Sequence, residues 1–203
     1  MCANYIYGTG GLAREVFGWM VHENSLFLEG FQGFIDREAY HQVFGQPVWL
    51  ASQVLPEANV IVAVGCGETR KRVFQEMKAK GFQIENYISR DCSIGQNSNI
   101  GEGTIICPHS SISSDVTIGD GCLINCHSGI GHDSIVGNFC TLLGFCAVNG
   151  SCHLSDNVTV GSGSVLHPKV SVGMGATVGI GAVVLKNVRQ GTVVFGNPAK
   201  ILK

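Results

Sequence analysis

From Ile88 onward an aliphatic residue stands at every sixth position without a break. The series runs Ile88, Ile94, Ile100, Ile106, Ile112, Ile118, Ile124, Ile130, Val136, Leu142, Val148, Leu154, Val160, Leu166, Val172, Val178 and Val184. Four residues after each comes a small or β-branched residue: Cys92, Ser98, Thr104, Ser110, Val116, Cys122 and onward to Val188. Eight of the aliphatics are followed directly by glycine. A period of six is too short for a helical repeat and fits a hexapeptide parallel β-helix. Each hexad is then a short strand and a turn. The aliphatic points inward, the small residue fits near a corner, and glycine or asparagine accepts positive φ at the turn. Three hexads make one triangular coil of 18 residues, so residues 88–188 build between five and six coils with no inserted loop.

The first 86 residues follow a different pattern. Asn4–Tyr7 reads as a strand entering a glycine-rich turn, with a helical pattern through about His22. Phe31–Asp36 reads as a second strand. Ala58–Val64 is a continuous apolar run, as in a parallel strand buried on both faces. Glu68–Lys80 carries Val73, Phe74 and Met77 on one helical face, and Gln83–Tyr87 is a further short strand. Strands alternating with helices predict a small parallel α/β domain over residues 1–86, about half of a complete dinucleotide fold. Residues 87–203 form the β-helix domain and its C-terminal tail.

Composition narrows the function. Hydrophobic residues are 45%, charged residues 14%, and the net charge is −2, which excludes a disordered chain. There is no basic block for nucleic acid or an anionic membrane. The N-terminal MCANYIYG lacks a signal-peptide layout, and no apolar run approaches the ~18 residues of a bilayer span. A cytoplasmic protein is expected. The nine cysteines are an odd number with no C-x-x-C pair. Cys92, Cys122, Cys140, Cys146 and Cys152 fall at the small-residue position of the repeat. They read as core thiols, with no metal site and no disulfide framework.

Gly8-Thr9-Gly10-Gly11-Leu12-Ala13 fits G-x-G-x-x-A between a strand and a helix, the context of a phosphate-binding turn. Asp36 ends the second strand, where an acidic residue meets ribose hydroxyls. Gly65, Cys66 and Gly67 follow the third strand, just before Arg70. These residues are the candidate nucleotide site: Gly8, Gly10, Gly11, Asp36, Gly65, Cys66, Gly67 and Arg70. The alternative is a tight turn that serves packing only. A complete NAD site lacks its second mononucleotide half.

The two halves, in this order, resemble the bacterial left-handed β-helix sugar acyltransferases, typified by the bacillosamine N-acetyltransferase and the sialic-acid O-acetyltransferase. The resemblance covers essentially the whole chain. Besides the hexads it rests on YGTGGLAREV from Tyr7, GFIDRE from Gly33, VAVGCGETRKR from Val62 and VLKNVRQGTVVFGNPAK from Val184. It implies a left-handed solenoid and a homotrimer. It further implies acetyl-CoA bound between neighbouring subunits, and a nucleotide-linked sugar held by the N-terminal domain. Within Gly129-Ile130-Gly131-His132-Asp133-Ser134-Ile135-Val136-Gly137, His132 and Asp133 inherit the roles of base and orienting carboxylate. Asn125 matches a substrate-contacting asparagine. The chain departs from the family at Gly131, often acidic, and at Thr141 and Leu12, both often histidine.

Acyl transfer from a thioester calls for a base near neutrality, and free imidazole has a pKa of about 6.5. His132 would take a proton from a sugar amine or hydroxyl as that atom attacks the thioester. Residues 18 apart lie above one another, so His132, Gly150, Pro168 and Lys186 share one edge, and Gly144, Ser162 and Ile180 another. Two such edges from different subunits would form a slot for coenzyme A. Its candidate residues are Thr141, Gly144, Gly150, Ser162, Ile180 and Lys186. The resulting expectation is an acetyl-CoA-dependent N-acetyltransferase for a nucleotide-linked amino sugar, such as a 4-amino-4,6-dideoxy sugar, in surface-glycan synthesis. Sugar O-acetylation and a non-catalytic β-helix scaffold remain alternatives.

Overall fold

The computed structural model describes residues 3–38 and 42–202. Five strands, β1 (Asn4–Tyr7), β2 (Phe31–Asp36), β3 (Val48–Leu50), β4 (Asn59–Val62) and β5 (Gln83–Ile84), form one sheet in the order β3-β2-β1-β4-β5. Every pairing is parallel. Helix α1 (Gly11–His22) crosses from β1 to β2, and helix α2 (Gly67–Ala79) from β4 to β5. The sheet is buried on both faces, which is why its strands read as apolar runs without alternation. One face packs Tyr5, Tyr7, Ile35, Val60 and Val62 against Val73, Phe74 and Met77 of α2. The other packs Ile6, Phe34 and Ile61 against Ala13, Val16 and Met20 of α1 and against Ile105, Cys107 and Leu123. Those last three belong to the solenoid, which here stands in for part of a helix layer.

Two boundaries differ from the sequence reading. The three-residue strand β3 was not expected, because Val-Trp-Leu after Pro47 is too short to show a period. The run expected as one strand over Gln83–Tyr87 divides. Gln83–Ile84 closes the α/β sheet, whereas Tyr87–Ile88 pairs with Ile105–Ile106 and begins the solenoid. That start is tied to the end of α1: Arg90 Nη1 donates to the Glu23 carbonyl at 2.8 Å, and Tyr87 Oη to the Glu23 carboxylate at 3.2 Å.

From there the chain winds in two-residue strands that stack into three parallel sheets, each strand pairing with the one 18 residues away, as Ile124 pairs with Ile106 and Leu142. The inward aliphatics and small corner residues make one continuous core. The hydroxyls and thiols in that core are hydrogen-bonded. Ser128 Oγ donates to the Leu143 carbonyl at 3.0 Å, Ser164 Oγ to that of Gly179 at 2.7 Å, and Cys122 Sγ to that of Gly137 at 3.0 Å. Each corner hydroxyl or thiol thus satisfies a carbonyl of the next coil, which explains why Ser, Thr and Cys recur there. The cysteines among the described residues are all free thiols.

The glycines have a different cause from the one expected. Positive φ falls three residues after the aliphatic, at all fifteen such positions from Asn97 to Gly181, and only five of them are glycine. The glycine directly after the aliphatic is instead required by close stacking. A Cβ on Gly95 would lie 2.5 Å from the Ser114 nitrogen, and one on Gly131 2.5 Å from that of Gly150. Val193–Phe195 continues one sheet, and Lys200–Ile201 folds back antiparallel along it. Among the described residues, no helix is long and apolar enough to cross a membrane.

Candidate active site

The crossover from β1 runs to one side of the sheet and that from β4 to the other. Their carboxyl ends therefore flank the topological switch point, where parallel sheets of this kind take ligands. A cleft of about 430 Å³ opens there, lined by Tyr7, Gly8 to Leu12, Asp36, Arg37, Ala63 to Gly65, Thr69 and Val73. Gly8 has φ +113°, and a Cβ on it would lie 2.9 Å from the Ala63 carbonyl oxygen, so only glycine lets the two strand ends approach. A Cβ on Gly10, Gly11 or Gly65 would meet nothing within 4 Å. Gly10 caps α1 without any side-chain bond, which leaves the helix amides facing the cleft. Asp36 accepts from Thr9 Oγ1 at 2.5 Å and from the Arg37 backbone N–H at 2.7 Å. Burial pushes the Tyr7 hydroxyl's pKa up, and Arg37 nearby pulls it back. Thr9 and Arg37 were not expected from sequence. The polar residue held between glycines at position 9 was the available signal.

Three of the expected nucleotide residues lie elsewhere. Arg70 is fully buried and faces the solenoid. Its Nε donates to the Gly121 carbonyl at 2.6 Å, Nη1 to Val64 and Gly65 at 2.8 and 2.9 Å, and Nη2 to the Cys140 carbonyl at 3.0 Å and Thr141 Oγ1 at 2.8 Å. Burial pulls its pKa below the usual guanidinium value. A Cβ on Gly67 would lie 2.9 Å from the Phe139 carbonyl oxygen, so Gly67 serves the same packing. Cys66 is the exposed N-cap of α2, outside the cleft lining. Hydrogen bonds from the Thr69 backbone and side chain lower its thiol pKa. Thr141, expected on the coenzyme slot, is instead 4% exposed beneath the α/β domain, with its hydroxyl engaged by Arg70.

The second centre lies on a solenoid corner. Asp133 has φ +59°, and this left-handed turn brings two sequence-adjacent side chains together where a strand would splay them. His132 Nδ1 and Asp133 Oδ2 are 2.7 Å apart, with 67% and 61% of the side chains exposed. A carboxylate only accepts, so Nδ1 carries the hydrogen and Nε2 is left as the acceptor. Nε2 looks over Gly150, where a Cβ would lie 2.6 Å away. The backbone N–H groups of Gly144 and Gly150 have no acceptor among the described residues. Pro168 and the exposed Lys186 continue the edge of Gly150, in the register the strand pairing sets.

Asn125 sits at another corner, at the far end of the strand Gly129–Ile130 from His132. Its Oδ1 accepts from the Cys126 N–H at 2.7 Å, and its Nδ2 makes no hydrogen bond among the described residues. Gly144, Ser162 and Ile180 follow on that corner. Beside them His109, His127 and Phe145 stack as a ladder with ring centroids 5.0 and 4.7 Å apart, legible in the sequence only as a spacing of 18. Within one chain, the Asn125 and His132 corners are separate.

No family model matches the chain. A curated relative, the 2,3,4,5-tetrahydropyridine-2,6-dicarboxylate N-acetyltransferase of Clostridium perfringens, is 42% identical over 52 residues, 26% of this chain. The match spans about a fifth (22%) of that relative's length. Solved structures match from end to end. WeeI from Acinetobacter baumannii is 29% identical with a TM-score of 0.92, covering 100% of both chains. PerB from Caulobacter crescentus, crystallised with CoA and GDP-perosamine, is 25% identical with a TM-score of 0.91, covering 100% of this chain and 98% of that one. The shared architecture is a small parallel α/β sheet followed by a left-handed parallel β-helix.

Proposed function

We propose that the protein transfers the acetyl group of acetyl-CoA to the amino group of a nucleotide-linked amino sugar. The observation that carries this reading is the pairing of two centres. One chain holds an open switch-point cleft and an exposed His132–Asp133 pair, and along its whole length it is similar to a protein crystallised with CoA and GDP-perosamine. The cleft takes the nucleotide. The helix amides at Gly10 and Gly11 face its phosphates, and Asp36, steadied by Thr9, takes ribose hydroxyls. The amine nitrogen attacks the thioester carbonyl carbon and the C–S bond then breaks. The amine proton passes to His132 Nε2, and the thiolate of CoA leaves to be protonated. Asp133 holds the tautomer that leaves Nε2 free and stabilises the imidazolium that forms. The open amides of Gly144 and Gly150 suit the pantetheine arm.

Such a site draws on two copies of the chain. Asn125, Gly144, Ser162 and Ile180 lie on one corner, and His132, Gly150 and Lys186 on another. Ile135, Phe145 and Ile180 are 47%, 67% and 67% exposed in a solenoid with few charges. A homotrimer with parallel axes brings the two corners together. Sedimentation at micromolar concentration is expected to give three times the 21.5 kDa chain mass. A monomer mass would remove the shared site. A cytoplasmic location is part of the same proposal and rests on acetyl-CoA as the donor.

The functional test is release of the CoA thiol from acetyl-CoA across a panel of UDP-, GDP- and dTDP-linked amino sugars. Release is expected with at least one member and none without an acceptor. No release with any member contradicts the reading. Asp36→Ala is expected to weaken binding of the accepted substrate by about 10- to 100-fold, the loss of a charge-assisted hydrogen bond. Acetyl-CoA affinity, measured by calorimetry on the same variant, stays within about twofold. Equal loss of both ligands would overturn the assignment of the cleft.

A further inference from the structure

We propose that Arg70 is a positioning residue that holds the nucleotide cleft in register with the coil carrying His132. The inference rests on the functional reading above for its kinetic part only. Arg70 lies between two groups of backbone carbonyls that belong to the two centres. One arm, Nη1, holds Val64 and Gly65, which form a wall of the cleft. The rest of the guanidinium holds Gly121 on one side and Cys140 with Thr141 on the other. Gly121 and Cys140 are the two ends of one solenoid coil, and that coil carries Asn125, His132 and Asp133. A single planar group therefore closes the coil and joins it to the cleft.

The cost of this arrangement shows what it does. Arg70 is fully buried, and its acceptors are backbone carbonyls and one hydroxyl, with no carboxylate among them. An apolar side chain would fill the space without desolvating a charge. What an apolar residue lacks is the rigid fork, whose five donors point in fixed directions. Lysine, a point charge with rotatable donors, cannot reach both groups with defined geometry. Thr141 completes the fork from an outward solenoid position. The corresponding positions one and two coils earlier, Leu123 and Ile105, are apolar and equally covered. The hydroxyl at 141 has a hydrogen-bonding role that packing alone does not require.

The test uses the full-length protein, Arg70→Lys and the milder Thr141→Val, with Thr141→Ser as the rescue. First, UDP, GDP and dTDP are screened, and the one that raises the melting temperature is used as probe. In the wild type it is expected to slow amide hydrogen exchange within residues 121–141 as well as at the cleft. In Arg70→Lys and Thr141→Val the protection at the cleft persists, the protection of the coil is lost, and the probe's Kd stays within about threefold. Thr141→Ser restores it. Second, kcat/KM for the nucleotide-linked acceptor is expected to fall about tenfold in Thr141→Val, the loss of one hydrogen bond to a charged group. The same amino sugar without its nucleotide is acetylated at the wild-type rate. Absence of coil protection in the wild type overturns the proposal. So does an equal fall for both acceptors, which marks a merely structural residue, or a probe Kd that weakens tenfold, which marks a residue that builds the cleft. Protection that behaves as expected in a protein without transferase activity would uphold the coupling and contradict the functional reading alone.

Discussion

His132→Ala is expected to lower the acetylation rate by roughly 10²–10⁴-fold, the usual contribution of a positioned general base. Folding and assembly should be unaffected, because 67% of the side chain is exposed and its one hydrogen bond is to the exposed Asp133. Affinities for acetyl-CoA and the acceptor stay within about threefold, since the role belongs to the transition state. Asp133→Asn costs less: the imidazole remains, and only its tautomer bias is lost. Stopped assays of both variants beside the wild type read both effects. A variant keeping more than about a tenth of wild-type kcat, above even the largest expected residual of about a hundredth, would remove His132 from the mechanism.

Gly150→Ala is expected to do nearly as much damage without touching the base. The added Cβ would lie 2.6 Å from His132 Nε2, and its three nearest atoms are all in that ring. The backbone at Gly150 is outside the positive-φ region, so alanine carries no strain and the coil keeps its shape. The ring has to move, and moving it breaks the 2.7 Å contact with Asp133 and misaims Nε2. A displacement of about 1 Å at a reacting group costs on the order of 10²-fold in rate. The open Gly150 N–H is untouched, so acetyl-CoA affinity holds. Steady-state kinetics beside a melting curve separate the cases. An unchanged melting temperature with a hundredfold lower kcat supports the geometry, and a kcat within about threefold of wild type contradicts it.

The solenoid was legible because its period fixes every side chain at once. An aliphatic at each sixth position leaves one register, and the 18-residue stacking that follows put Gly150 beside His132. The His132–Asp133 contact was not legible from spacing, since it depends on the left-handed turn at Asp133. Arg70 was misplaced for a different reason. Standing just after the Gly65–Gly67 turn, it reads as part of the nucleotide site. Its spacing to Val73, Phe74 and Met77 nevertheless puts it on the buried stripe of α2, and that helical period was the stronger signal. Thr141 carried a similar mark. It continues the outward column of Ile105 and Leu123, and two outward apolar residues in succession indicate a covered face. The α/β strands were visible as apolar runs, whereas β3, three residues long, offered no period to read.

The central claim is that the acetyl group ends on a sugar nitrogen. It is tested most directly by mass spectrometry and NMR of the product formed from isotopically labelled acetyl-CoA. The acceptors are two nucleotide-linked sugars that differ only in bearing an amine or a hydroxyl at the same ring carbon. The account predicts a labelled amide from the amino sugar, no product from the hydroxyl sugar, and loss of the amide in His132→Ala. A labelled ester from the hydroxyl sugar, or an amide that forms equally well in His132→Ala, would contradict it.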